Sequence, residues 1–173
     1  MTVTTDRSHH AAVSFDEFVV SNERRLLRLG LMLSGGVHSA EDLVQTVLAR
    51  AHRRWDRIGS LEHPEAYLRT MVVNEYLSWR RRLTNRELPM AELIEPAPVD
   101  DVSGRQAQRD AAWRLLAQLP RQQRAVLVLR FYEDLPDDEI AAALGCSAST
   151  VRSNAARGLA SLRAAVPTPN EEL

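Results

Sequence analysis

The 173-residue sequence has one cysteine and no lysine, so each of its 22 basic residues is an arginine. A single cysteine, Cys146, excludes an internal disulfide and a zinc site built on a cysteine pair. The lack of lysine has no functional meaning by itself, because a GC-rich genome gives the same bias. No apolar run approaches the roughly 20 residues of a membrane span, and the first ten residues lack the apolar stretch of a signal peptide. We therefore expect a cytoplasmic protein without membrane insertion.

Signatures of catalysis are also missing. The five histidines have no ligand spacing of the H-E-x-x-H kind, and neither a glycine-rich phosphate loop nor a nucleophile motif is found. Paired acids such as Asp137-Asp138 are far more often charges at a helix start than a catalytic dyad. We expect no enzymatic activity, no catalytic residues, no metal and no cofactor.

Charge is unevenly distributed along the chain. The net charge is −1, so the overall charge does not favour nucleic acid. Residues 50–86, however, hold nine arginines against four acids, and residues 87–101 hold five acids and no base. With its three prolines, the stretch 87–103 reads as an acidic linker that cannot bury a core.

Helical periodicity lies on both sides of this linker, and no strand pattern is found. Before it, a capping box at Ser14–Glu17 opens a helix that ends near Gly35. Ser39 is predicted to cap a second helix to about Trp55, and Pro64 to open a third to about Leu83. After the linker, an apolar stripe ends at Leu119-Pro120, and a further helix carries Ala125, Val128, Leu129 and Tyr132 on its buried side.

Asp137 to Arg163 is predicted to form a short helix, a tight turn and a basic second helix. Gly145 supplies the positive φ of a sharp helix stop, and Ser147 can cap the next helix. Val151, Ala155, Gly158 and Leu162 fall on one side of that helix, and Arg152 and Arg157 fall on the other. This pattern is typical of a helix-turn-helix that presents its second helix to the major groove. An ordinary helical hairpin with a solvated basic face is the alternative.

The predicted fold class is therefore all-α, with two small helical domains joined by a flexible acidic linker. The first domain spans residues 14–86, the linker 87–103, and the second domain 104–166. The second is a four-helix unit containing the helix-turn-helix. At about 60 residues it is marginal as an isolated domain, so we expect a partner to help hold it.

Three stretches together resemble a known family, the bacterial RNA polymerase sigma factors of the extracytoplasmic-function (ECF) type. One stretch of this chain resembles region four of that family: LPRQQRAVLVLRFYEDLPDDEIAAALGCSASTVRSNAARGLASLR. Two earlier stretches resemble the family's polymerase-binding helix, AEDLVQTVLARAHRRW, and its promoter-melting helix, HPEAYLRTMVVNEYLSWRRRL. The NEYLSWRRR arrangement resembles a SigE-like subgroup.

The resemblance implies a subunit that binds core RNA polymerase and directs promoter recognition, melting and transcription initiation. It implies contacts with the clamp of the largest polymerase subunit, the flap of the second-largest subunit and promoter DNA, and an anti-sigma factor is a further candidate partner. The implied polymerase-binding residues are Asp42, Gln45, Thr46, Ala49 and Arg53. Those for the minus-ten DNA are Arg69, Asn74, Ser78, Arg80, Arg81 and Arg82. Those for the minus-thirty-five DNA are Ser147, Ser149, Thr150, Arg152, Ser153, Ala156 and Arg157.

The sequence departs from the family pattern at three points. The polymerase-binding helix reads DLVQTVL where the family often has DLVQETF, Ser78 stands where an acid is common, and Pro136 replaces a Ser or Thr cap. Two other classes of protein remain open at this point. One is a helix-turn-helix regulator that is not a polymerase subunit, and the other is a protein-binding helical adaptor.

Overall fold

The computed structural model describes residues 13–84 and 113–165, with the backbone alone for residues 79–84. The first unit comprises α1 (Phe15–Ser34), α2 (Val37–His52), α3 (Trp55–Ile58) and α4 (Pro64–Thr84). In the second unit, residues 113–117 are helical (α5), followed by α6 (Arg121–Leu127), a π-helical turn (Val128–Tyr132), α7 (Asp137–Leu144) and α8 (Ala148–Ala165). These described parts contain helices and no strand, which confirms the all-α prediction. The acidic linker, the predicted start of the second unit and the C-terminal tail lie outside them.

The predicted ends of α1 are confirmed. The Glu17 backbone N–H donates to Ser14 Oγ at 3.3 Å, and the Ser14 backbone N–H and hydroxyl donate to Glu17 Oε2 at 3.1 and 2.8 Å. The two hydrogen bonds that the Glu17 carboxylate accepts from Ser14 lower the pKa of Glu17 below its usual value. The bond from the Ser14 hydroxyl has the larger effect, and the bond from the backbone N–H the smaller. At the other end, Gly35 adopts φ 85° and its N–H donates to Leu31 O. Glycine reaches this left-handed conformation without the steric cost that a Cβ imposes.

Both predicted ends of α2 are wrong. The helix begins at Val37 with Gly36 as its N-cap, because the Ala40 N–H already bonds Gly36 O at 2.9 Å and Ser39 is inside the first turn. It ends at His52, since Arg54 leaves the helical conformation at φ −128° and ψ 20°. Trp55 instead starts α3, where its ring packs against Phe15 and Phe18.

The core of the first unit lies between α1, α2 and α4. Their buried apolar side chains include Leu29, Leu33, Val44, Val47, Leu68, Val72, Val73 and Tyr76. Burial of each large side chain contributes about 1.5–3 kcal/mol, so the three helices form one packed body. In α4, Leu68, Val72 and Tyr76 face this core, whereas Met71 is half-buried and the side chain of Trp79 is outside the described residues.

The second unit is built around α6. Ala125 to Leu129, which span the end of α6 and the start of the π-helical turn, are all buried, as expected of a helix covered on more than one side. The predicted stripe fails at Tyr132, which is 39% exposed. The physical reason is the π-helical turn at Val128–Tyr132, which places an extra residue in the turn and rotates the following side chains away from the α-helical register.

The two units are in direct contact. Nε of Arg124 donates to the backbone oxygen of Met32 at 2.9 Å, and a guanidinium nitrogen of Arg121 donates to the backbone oxygen of Leu77 at 3.2 Å. Arg124 is only 3% exposed. The sequence predicted two units held by a linker and did not predict this seam. None of the described helices is both long and apolar enough to cross a membrane.

Candidate functional site

The turn between α7 and α8 has the predicted geometry. Gly145 adopts φ 62°, and the Cys146 N–H donates to Ala141 O at 3.0 Å, which closes the end of α7. Pro136 makes no side-chain cap at the start of α7, where three acids in the first turn, Asp137 to Glu139, complement the helix dipole. Asp137 is also paired with Arg130. Three acids thus lie at the start of α7 where a cap is missing, and one of them, Asp137, ties α7 to the π-helical turn.

Ser147 is the cap of α8, as predicted. Its Oγ accepts from the Thr150 backbone N–H at 3.2 Å and lies 2.8 Å from Ser149 Oγ and 2.9 Å from Thr150 Oγ1. Three hydroxyls therefore cluster at the N-terminus of the helix. Because Ser147 is already shared among these groups, its first role is to shape the start of α8.

One face of α8 is buried and the other is open. Val151, Ala155 and Gly158 are buried, and a Cβ added to Gly158 would lie 3.0 Å from Leu127 Cδ1 on α6. A glycine at this position therefore lets α8 pack closely against α6. The predicted minus-thirty-five residues are all exposed: Ser147, Ser149, Thr150, Arg152, Ser153, Ala156 and Arg157. The helix therefore displays two arginines and a row of small side chains on one free surface.

The outward face of α2 forms a second surface. Asp42, Gln45, Ala49 and Arg53 are exposed, and Thr46 is half-buried. On the opposite side, Leu43, Val44 and Val47 are buried in the first unit. This surface carries one acid, one base and three neutral side chains, so it suits a protein partner better than the phosphate backbone of DNA.

On α4 the structure separates the predicted residues. Asn74 is exposed and Ser78 is half-buried. Arg69 lies roughly 140° away from Asn74 around the helix, counting 100° per residue, and its guanidinium is 3.5 Å from Glu133 and 4.0 Å from Glu139. The side chains of Arg80, Arg81 and Arg82 lie outside the described residues.

Sequence reasoning missed an ion pair between α2 and α4 in which the carboxylate is buried and the arginine is half-exposed. Glu75 is only 7% exposed and pairs with Arg50 in the last turn of α2. Glu75 directly follows Asn74, so the pair fixes the part of α4 that displays the asparagine. The detectable signal was an acid inside the apolar run Val72 to Tyr76, because a buried acid requires a cationic or hydrogen-bonding partner.

In the part of the chain that the structure describes, no group of three or more His, Cys, Asp or Glu side chains is placed to hold a metal ion. The geometry instead provides three outward helix surfaces on two packed helical units.

Two family models match the chain in the order of these units. The model of sigma-70 region 2 matches residues 18–86, and the model of sigma-70 region 4 matches residues 109–162. Together they cover well over half of the chain. The chain belongs to the sigma-70 family, as an ECF-type sigma factor. It binds core RNA polymerase and promoter DNA, directs transcription initiation and has no enzymatic activity of its own, and the reading as a separate helix-turn-helix regulator is not favoured.

Curated relatives are similar in sequence to this ECF sigma factor over most of their length. It is 38% identical over 156 residues to the RNA polymerase sigma-E factor of Streptomyces avermitilis, covering 90% of this chain and 87% of that protein. Identity to the sigma-E factor of Streptomyces coelicolor is 39% over 151 residues, covering 87% and 85%. Identity to the ECF sigma factor SigE of Mycolicibacterium smegmatis is 34% over 161 residues, covering 88% and 62%.

Solved structures show the same fold. The sigma factor RpoE of Bartonella quintana, solved in complex with the anti-sigma factor NepR, matches with a TM-score of 0.69 and 24% identity over 87% of this sigma factor and 94% of that chain. CnrH, solved with the cytosolic domain of CnrY, matches with a TM-score of 0.57 and 22% identity, covering 87% and 86%. At these identities the likeness supports the helical architecture alone.

Proposed function

We propose that the three helix surfaces divide the work of this sigma factor between polymerase and promoter. The outward face of α2 binds the clamp of the largest polymerase subunit, α4 captures the melted minus-ten strand, and α8 reads the duplex minus-thirty-five element. The observation that supports this division most is the two-sided character of α8, which buries its small apolar residues against α6 and leaves the predicted reader residues exposed.

For α8, the exposed side chains match what a major-groove reader requires. Arg152 and Arg157 are exposed and more than one turn apart on the open face, so each can reach a separate base or phosphate. Arginine forms two parallel hydrogen bonds with guanine, whereas serine accepts or donates to several bases. The hydroxyl cluster at Ser147, Ser149 and Thr150 lies where free backbone amides also favour a phosphate.

For α4, Asn74 is the candidate base reader. Its side chain carries both a donor and an acceptor, which suits the edge of an unpaired base, and it is exposed next to Glu75, whose buried carboxylate pairs with Arg50. Such a pair holds the helix in one orientation, so that the amide is displayed in a fixed position. The assignment of Arg80, Arg81 and Arg82 to the phosphates of the same strand remains a prediction from the sequence.

A surface suited to protein partners lies mostly on the second unit and includes one residue of α1. An apolar groove is lined by Met32, Leu116, Leu127, Val128, Phe131, Tyr132, Leu159 and Leu162. Phe131 in this groove is 64% exposed, and exposed aromatic residues are enriched where proteins dock. This exposure supports the polymerase flap as a partner of the second unit. An anti-sigma factor, like the NepR bound to RpoE of Bartonella quintana, is proposed as a partner of the whole protein.

The proposed contact between α2 and the clamp of the largest polymerase subunit is tested first, with a surface variant of α2. Asp42→Arg combined with Gln45→Ala reverses the charge and removes a polar contact on an exposed face, so we expect core polymerase binding to fall by at least ~100-fold, because like charges across an interface cost several kcal/mol. Binding is measured by fluorescence anisotropy of labelled protein titrated with core polymerase. Circular dichroism should remain unchanged.

The matched control is Glu23→Arg, the same charge reversal at an exposed position of α1. It should bind core polymerase with the affinity of the unsubstituted protein. If the double variant of α2 forms holoenzyme as tightly as this control, the face does not contact the polymerase and the assignment is wrong.

A further inference from the structure

One ion pair connects the helix proposed to face the polymerase with the helix that carries the candidate base reader. Nη1 of Arg50, in the last turn of α2, donates to a carboxylate oxygen of Glu75 on α4. The Glu75 side chain is 8% exposed, whereas that of Arg50 is 47% exposed. The pair is therefore buried on the side of α4 and open to solvent on the side of α2.

Glu75 interrupts a buried stretch of α4. Val72, Val73 and Tyr76 on the same helix are each no more than 2% exposed, so an apolar residue at position 75 would also match the burial pattern. A buried carboxylate is costly without a cationic or hydrogen-bonding partner. Glu75 thus imposes a condition that apolar packing does not impose, because α4 must turn this carboxylate toward Arg50.

This condition acts directly on Asn74, which precedes Glu75 and is exposed. The two side chains are about 100° apart around the helix axis, so a rotation that moves Glu75 away from Arg50 moves the Asn74 amide by the same angle. For an atom about 5 Å from the axis, a rotation of about 20° gives a displacement of about 2 Å. Hydrogen-bond lengths vary by only about 0.5 Å, so this displacement breaks a contact with a base edge.

We propose that Arg50 and Glu75 are positioning residues for base recognition in the minus-ten strand. Neither side chain touches the DNA, and both determine which base Asn74 accepts by fixing the rotation of α4. Arg50 serves promoter recognition although it lies on α2, at the border of the proposed polymerase face and about 100° around the helix from Ala49. The inference rests on the proposed role of Asn74 as the reader of one base.

The test uses reconstituted holoenzyme and a promoter library that is pre-melted at the minus-ten element and randomised there in the non-template strand. Asn74→Ala first identifies the position that Asn74 reads, as the position at which base preference is lost. Glu75→Gln keeps the shape of the side chain and removes its charge. It should lower the preference at that same position about fivefold, within the range of coupling between residues in contact. Preferences at the other positions should stay unchanged, which partial unfolding would not produce.

Combining the two substitutions separates positioning from a general loss of stability. In the Asn74→Ala background, Glu75→Gln should cause no further loss of preference, because the side chain that Glu75 positions is gone. Glu23→Gln removes the same charge at an exposed position of α1 and should leave every preference unchanged. Additive effects in the double variant, or an unchanged preference at the Asn74 position in Glu75→Gln holoenzyme, would overturn the proposal.

Arg50→Gln is the second variant, and it tests the proposal from the other helix if Glu75→Gln does not assemble into holoenzyme. It should lower the preference at the same position. It should also bind core polymerase as tightly as Arg28→Gln, the matched substitution at an exposed position of α1. A loss of polymerase affinity as large as that expected for Asp42→Arg with Gln45→Ala would make Arg50 a polymerase contact and overturn its positioning role.

The outcomes distinguish the positioning role from the function on which it rests. If Asn74→Ala changes no preference, Asn74 is not the reader and both proposals are wrong. If Asn74→Ala removes a preference that Glu75→Gln and Arg50→Gln retain, Asn74 remains the reader and only the positioning role is wrong.

Discussion

At the scale of single residues, a few positions have roles that their neighbours cannot take over. Gly158 is the contact point of α8 and α6, where a Cβ would approach Leu127 to 3.0 Å. Gly35 and Gly145 allow the chain to leave α1 and α7 in the left-handed conformation. Ser14 and Ser147 each satisfy an amide at a helix start. These residues determine where helices end and how closely they pack, and they are recognisable in the sequence because each follows a local rule.

Gly158→Val should reduce the free energy of unfolding by about 1–3 kcal/mol, because the added methyl groups overpack the contact with Leu127. Urea denaturation followed by circular dichroism measures this change. Ala160→Val is the matched control, since it places the same β-branched residue at an exposed position of the same helix, at a cost of only about 0.5 kcal/mol. Equal unfolding midpoints for the two variants would contradict the close-packing role.

At the scale of the element, each functional helix has one face in the core and one face free. In α8 the division is made by the apolar spacing Val151, Ala155 and Gly158. In α2 it is made by Leu43, Val44 and Val47. Since side chains on a helix repeat with a period of 3.6, burial of one face determines which residues remain available to a partner. The predicted minus-thirty-five residues on α8 are exposed because of this geometry. Arg69 on α4, in contrast, is half-buried because the second unit packs against it.

Arg152→Ala should relax base preference at one or two positions of the minus-thirty-five element, since one bidentate arginine–guanine contact is worth about 1–3 kcal/mol of discrimination. Arg163→Ala, at an exposed position near the end of α8, should instead weaken binding evenly and reduce its salt dependence, as expected for a phosphate contact. Selection from a library of duplex upstream elements by each reconstituted holoenzyme measures both effects. Sequence preferences unchanged in both Arg152→Ala and Arg157→Ala would show that α8 is not the reader.

At the scale of the whole molecule, the second unit supplies a hydrogen-bond donor to the end of a helix in the first unit. The described helix α1 has no basic residue in its last turn, and its terminal carbonyl oxygens need donors. Arg124 supplies one from the second unit through its bond to Met32 O. It thereby places a positive charge at the negative end of the α1 dipole. A small second unit that is marginal alone thus gains stability by covering the first.

Arg124→Met should lower the free energy of unfolding of the full-length protein by about 1.5–3 kcal/mol, the worth of a hydrogen bond made by a charged group. Chemical denaturation followed by circular dichroism measures this value, and hydrogen exchange should show faster opening at the end of α1. Arg28→Met, at an exposed position of α1, is the control and should change stability by less than about 0.5 kcal/mol. An equal loss in both variants would mean that the seam adds no stability.

Most of the fold and much of the candidate site followed from the sequence. The all-α class, the ends of α1, the turn at Gly145 and the cap at Ser147 depend on interactions within a few residues, and local patterns record such interactions. The errors also have local causes. The start of α2 was misplaced because two glycines made a tighter turn than the Ser39 cap suggested, and Tyr132 was misplaced because a π-helical turn breaks the 3.6-residue period.

The amino-acid sequence by itself determined which helices form, which of their faces are apolar and, through three motifs in order, which family the chain belongs to. Only the tertiary structure decided which charged residues are free. Arg25 and Glu133 are 108 positions apart in the chain, and Arg69 and Arg124 are likewise paired across the seam. Periodicity and capping rules act over one or two helical turns, so they contain no information on contacts between distant helices. Such contacts arise from packing of whole surfaces, and that packing placed an arginine predicted to hold DNA against two carboxylates of its own chain.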